Sequence, residues 1–201
     1  MFRETRSWLF SDLHKYKSVP AQRSMLHERK RRRMMEGKRV KDSSVIMAQM
    51  MIPQDANPAG NVHGGVVVKI IDEAAGVVAA RHSRSNVVTA SIDRMDFHHP
   101  VFVGDVLFFK SSLNLVGRTS MEIGVRVEAE NLLTGEVRHA ASAYLTYVAL
   151  DQHGKPREIP PLILEIEEEM RRNREAKARR EIRLAEKKRE AGCQTHPGTC
   201  T

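Results

Sequence analysis

The chain has 201 residues, 41% of them hydrophobic, which is enough for one domain with a real core and too few for a second of ordinary size. Its formal charge of +8 does not mark a nucleic-acid-binding fold: residues 1–43 carry 13 Lys and Arg against 5 Asp and Glu, and the rest balances at 20 against 20. Cys193 and Cys200 lie among Gly, Pro and Thr, outside any core pattern, which excludes a disulfide framework; with His196 they fall short of a four-ligand metal set.

No run approaches the roughly 20 apolar residues of a membrane span, and the N-terminus has no apolar signal region, so no membrane partner and a cytoplasmic setting are expected. Residues 1–43 show no sustained periodicity, and the run Arg29-Lys30-Arg31-Arg32-Arg33 repels itself; this segment is expected to be a basic flexible arm.

The body is expected over residues 44–161, closed by Pro160-Pro161. From Gly64 to His82 nearly every residue is apolar or small, and the length and the Ala-Ala pairs favour a helix enclosed by other structure; a buried strand is the competing reading. Between Val87 and Phe97 the apolar phase slips, which predicts a bulged strand. Leu107, Phe109, Leu113 and Leu115 alternate in the next segment. Met121, Ile123, Val125, Val127 and Ala129 alternate with charges in a half-buried strand, and Ala141, Ala143, Leu145 and Tyr147 mark the last one. Gly117 and Thr134-Gly135 mark turns. One enclosed helix with an antiparallel sheet gives an α+β fold in which the sheet wraps the helix. Residues 162–201 are acidic then basic, which suits a solvent-exposed charged helix followed by a disordered tail.

The densest polar cluster, Asn57-Pro-Ala-Gly-Asn-Val-His-Gly-Gly65, immediately precedes the helix. Glycines at a helix start let the backbone approach a ligand, and the unpaired N–H groups of the first turn suit a developing oxyanion. Asp72 sits two turns into an otherwise apolar helix, where a buried carboxylate needs compensation. The bland alternative places it on an exposed strip with Lys69 and Glu73, and makes Asn57 and Asn61 ordinary turn residues.

The segments PQDANPAGNVHGG, KIIDEAAGVVAARHSRSNVVTASIDRMDFHHPVFVGD and GRTSMEIGVRVEAEN, in that order, closely resemble the hot-dog-fold acyl-CoA thioesterases of the cytosolic, brain-type and YciA-like group. The resemblance covers roughly Ile46 to Pro161. It implies a curved antiparallel sheet around one long helix, acyl-CoA as substrate, CoA as product, no cofactor, and homodimers assembled as a trimer of dimers. It also implies Asn57 and Asp72 as catalytic, with Asn57 supplied by the partner subunit, Asp72 as general base and the Gly64 and Gly65 amides as oxyanion hole. Asn61, His63, Arg94, Arg118, Thr119 and Ser120 are the expected CoA contacts, Arg118 meeting phosphate. His98 and His99 are weaker candidates for the same seam. An acyl-CoA-binding regulatory module without turnover is the competing function.

Overall fold

A computed structural model describes residues 35–195. The arm's residues 1–34, together with His196 and Cys200, lie outside the described residues. The elements, in chain order, are β1 (Lys38–Arg39), β2 (Val45–Met50), α1 (Gly64–Ser83), β3 (Asn86–Phe97), β4 (Asp105–Val116), β5 (Ser120–Asn131), β6 (Val137–Leu150), β7 (Leu162–Ile163) and α2 (Glu167–Thr195). The five long strands form one antiparallel sheet in the order β2-β4-β5-β6-β3, which leaves β2 and β3 at its edges.

The period-two pattern sets which face meets the helix. Met121, Ile123, Val125, Val127 and Ala129 of β5 are at most 2% exposed, as are Leu107, Phe109 and Leu113 of β4 and Ala141, Ala143 and Leu145 of β6. These side chains pack against Ile71, Ala74, Ala75, Val78 and Ala79 of α1, whose alanines let the helix sit close to the sheet. The slipped phase of β3 is realised as two register shifts against β6, between Thr89 and Ser91 and between Ile92 and Arg94. Gly117 and Gly135 occupy the expected turns, Gly135 with a φ of 71° that favours glycine.

Three expectations need correction. The α1 helix is not enclosed all round: Lys69, Glu73, Val77, Ala80 and Arg81 form an exposed stripe in the single chain. Lys69 and Glu73 belong to the exposed strip weighed as the bland alternative, whereas Val77 and Ala80 extend it with no polarity signal. Residues 38–43, assigned to the arm, belong with the body. The β1 strand pairs in parallel with β7, Val40 is 5% exposed, and the Lys38 ammonium donates to the carbonyls of Arg81 and His82 at 3.3 and 2.7 Å.

The C-terminal helix is also not simply solvated. Along α2, Arg172 donates to Ser112 of β4, Asn173 to the Asn114 carbonyl of β4, Arg179 to Glu122 of β5, and Arg183 to Asp93 and Thr146 on β3 and β6. Three strand spacings of about 4.8 Å match the roughly 16 Å that 11 helical residues span, so α2 crosses the strands nearly at right angles on the face opposite α1. Ala176 of α2 is itself fully buried. Charged side chains whose stems cover apolar surface make this docking invisible to a hydrophobic pattern.

Candidate active site

The Asp72 carboxylate stands half-buried on the flank of α1, where it borders the exposed stripe. Its Oδ1 accepts hydrogen bonds from the Thr89 hydroxyl of β3 at 2.7 Å and from the Tyr147 hydroxyl of β6 at 2.6 Å. Thr89 and Tyr147 are register partners, so the bulged edge strand and its neighbour bring both hydroxyls to one oxygen. Burial, followed by the Asp72 carboxylate beside it, pushes the Tyr147 phenol above its ordinary range, so it stays protonated and acts as a donor. Sequence reasoning missed both donors as partners of Asp72. The available signal was a polar-tipped ring in the inward phase of β6, since a buried Tyr hydroxyl needs a partner.

The loop before α1 is held at both margins. The Met51 amide donates to the Asp105 carbonyl, Val62 to Val101, and His63 to Asp55. Within the loop the Asn57 side-chain oxygen accepts from the Ala59 amide at 2.9 Å and the Asn61 amide at 3.3 Å, while Gly60 takes a φ of 85° to close the turn. With its oxygen engaged, Asn57 presents its side-chain NH2 as the group available to a ligand. Asn61 is tied into the same turn, its carbonyl accepting from the Asn57 amide at 2.7 Å.

The oxyanion assignment needs correction at Gly65 and a new role at His63. His63 is the N-cap of α1, and its Nδ1 accepts from the Gly65 amide at 2.9 Å. The Gly65 donor is therefore already satisfied, and Gly64 is the first-turn glycine whose amide remains to face a ligand among the described residues. A Cβ at Gly64 would sit 3.4 Å from the Phe97 ring, which places the helix start at the end of β3 remote from Thr89.

These pieces do not meet within one chain. Eight residues separate Gly64 from Asp72, about 12 Å along a helix axis, whereas a reacting carbonyl must lie about 3 Å from both base and oxyanion donor. No hydrogen bond joins Asn57 to Asp72. The bend Gly117-Arg118-Thr119-Ser120 lies at the Tyr147 end of the sheet, with Ser120 paired to Val148 and Met121 to Tyr147. Arg118 is exposed there, and its carbonyl accepts from the Ile159 amide.

Arg94 lies on the edge strand β3. It pairs across β6 with Tyr144, on the α2 side of the sheet, and its guanidinium meets Asp96 at 2.6 Å. It lines a cleft of about 740 Å³ between β3 and α2 that includes neither Asp72 nor Asn57. His98 and His99 are occupied as ordinary strand-end histidines: the His98 ring lies 4.5 Å from that of His139, and His99 Nδ1 is 2.9 Å from the His139 carbonyl. Among the described residues no cluster of three or more His, Cys, Asp or Glu forms a metal-holding group.

Residues 59–136 match the thioesterase superfamily. The chain is 42% identical over 130 residues to the uncharacterized acyl-CoA thioester hydrolase YkhA of Bacillus subtilis, covering 65% of this chain and 76% of that protein. It belongs to the hot-dog acyl-CoA thioester hydrolases. A cytosolic acyl coenzyme A thioester hydrolase of Mus musculus is 43% identical over 129 residues, 63% of this chain. The chain spans about a third of that relative's length, the matched part being 34% of it. Among solved structures, an apo-hexameric acyl-CoA thioesterase superposes with a TM-score of 0.73 at 43% identity, covering 78% of this chain and 99% of that one. An acyl-CoA hydrolase of Staphylococcus aureus, solved with butyryl coenzyme A, coenzyme A and coenzyme A disulfide, gives 0.74 at 31% identity and covers 81% and 99%. The same enzyme has been solved with an aspartate, an asparagine or a threonine changed to alanine, the asparagine variant in complex with coenzyme A.

Proposed function

We propose that this thioesterase-superfamily domain hydrolyses acyl-CoA thioesters to a free carboxylic acid and CoA, at a site shared between two copies of the chain. Asp72 is the general base: it takes a proton from water as the water oxygen attacks the thioester carbonyl carbon. The partner subunit's Gly64 amide, at the positive end of its α1, and the partner's Asn57 side-chain NH2 hold the resulting oxyanion. Collapse of the tetrahedral intermediate breaks the carbon–sulfur bond and expels the CoA thiolate. A thiol with a pKa of about 8.5 leaves without a strong acid to protonate it. Arg118, Thr119 and Ser120 receive CoA phosphate, with Asn61 shaping the loop that carries Asn57.

The observation that carries this reading is the Asp72 carboxylate, fixed by two hydroxyls beside an uncovered stripe of α1 and about 12 Å along the axis from the helix amides that it would need. An edge strand β3 of 12 residues, with Val88, Ile92 and Phe97 exposed, offers the surface for a twin to pair. The relatives' names and the CoA complexes of the Staphylococcus aureus enzyme support the substrate class. In that enzyme's variant series the interval from the changed asparagine to the changed aspartate equals that from Asn57 to Asp72, and the next interval, to the threonine, equals that from Asp72 to Thr89. A trimer of dimers, working in the cytoplasm, completes the reading, in line with the hexameric state of the solved relative and the cytosolic name of the mammalian one.

The test is release of CoA thiol from a panel of acyl-CoAs, followed with a thiol-reactive dye. Turnover in the wild-type chain and its loss in Asp72→Ala are expected; acyl-CoA binding without turnover in the wild type would make the domain a sensor.

A further inference from the structure

The Tyr147 hydroxyl does more than satisfy itself. It lies 2.6 Å from Asp72 Oδ1 and 2.7 Å from the backbone carbonyl of the same residue, so one phenol bridges the carboxylate to the helix that carries it. Its ring is 3% exposed, in the inward phase whose other members are Ala141, Ala143 and Leu145. A phenylalanine would serve that packing role equally well, whereas the hydroxyl carries a desolvation cost that its bonds to Asp72 help to offset. Thr89 adds a second donor to the same oxygen.

We propose that Tyr147 is a positioning residue for the hydrolysis, fixing Oδ1 of Asp72 so that Oδ2 is the oxygen that receives the proton from water. This rests on Asp72 being the general base. Two neutral donors on one oxygen settle the rotation of the carboxyl group, and a carboxylate with one oxygen occupied and the other open presents a single orientation to the attacking water. The phenol does not compete for that proton, because it is itself held protonated by burial. The charged groups nearest on α1, Lys69 and Glu73, pair with each other at 3.7 Å and are common to every variant compared.

The experiment compares Tyr147→Phe with wild type in the full-length chain, on an acyl-CoA that the wild type turns over. The ring and its packing are kept, so the folded assembly should persist. The expected result is a fall in kcat of roughly ten- to a hundredfold at nearly constant KM. The acid limb of the pH profile should also move to higher pH, because the charged carboxylate loses a donor. A merely structural tyrosine would lower the folded fraction and leave kcat per folded molecule, KM and the profile alone; that outcome overturns the inference. In an Asp72→Asn background the same change should have no further effect on the residual rate, and a full multiplicative loss there would also overturn it. If Tyr147→Phe does not fold, 3-fluorotyrosine at the same position keeps ring and hydroxyl with a more acidic donor. The acid limb should then move to lower pH, and an unmoved limb counts against the proposal. Full turnover by Asp72→Asn itself would instead sink the assignment of the base, which separates the two failures.

Discussion

On the α2 side of the sheet the side chains of Glu122 and Asp93 are 2% and 8% exposed, and each meets a guanidinium, from Arg179 and Arg183; on the α1 side Asp72 meets two hydroxyls. Among the described residues no ion pair reaches Asp72. The contrast separates two uses of a partly buried carboxylate. A guanidinium held against Glu122 offsets its desolvation and occupies its oxygens, so the pair fixes α2 across the strands. Arg179 reinforces this by lying 3.8 Å over the Tyr144 ring. Hydroxyl donors stabilise Asp72 less and leave one oxygen open, which is the arrangement a base requires.

The sharpest way to break this contrast is to delete the carboxylates in turn. Asp72→Ala should lower the rate of CoA release by about 10²–10⁴ while light scattering shows the same assembly; retained turnover would erase the distinction between the faces. Asn57→Asp keeps the oxygen that closes the Ala59–Asn61 turn and replaces the NH2 donor with an anionic oxygen, so a loss of at least about 10²–10³ in kcat is expected with the loop intact by thermal melting.

On the opposite face the expected effects are on stability. Arg179→Ala strands Glu122 without its cation and should cost about 3 kcal/mol in urea denaturation, with unchanged hydrolysis per folded molecule. A change in kcat there would mean that the α2 face takes part in the chemistry. The smallest effect concerns pH. Burial holds the His82 imidazole below its ordinary range, with its Nε2 2.9 Å from the Pro160 carbonyl, and burial lowers His139 likewise. The unfolded chain therefore binds more protons than the folded one as pH falls through about 6.5, so stability should decline from pH 7 toward pH 5. Melting temperatures across that range check the sign, and His82→Gln should flatten the slope.

The sequence made one class of feature legible and hid another. Elements whose pattern is local were readable: the alternation in β5, the Gly64 start of α1, the turns at Gly117 and Gly135, and the phase slip that becomes the two register shifts of β3. Features set by tertiary partners were not. The Glu- and Arg-rich α2 reads as a solvated helix because its docking uses guanidinium groups rather than an apolar stripe. Lys38 reads as part of a basic arm because the carbonyls it binds, at Arg81 and His82, are remote in sequence. At the site, Asn57 and Asp72 stood out through a motif, whereas Thr89 and Tyr147 looked like ordinary strand residues until their register placed both on one oxygen. His63, expected to touch CoA, instead caps the helix through Gly65, a choice between two uses of one imidazole that spacing alone leaves open.

The most direct test mixes two inactive variants. Asp72→Ala and Asn57→Asp chains, denatured together and refolded, form hybrid pairs in which one of the two seams carries an intact Asp72 from one chain and an intact Asn57 from the other. A site shared across the seam predicts recovery to about a quarter of the wild-type rate, since half the pairs are hybrid and half their sites are whole. A mixture as inactive as either variant alone, with hybrid pairs demonstrated by native mass spectrometry, would contradict the shared site.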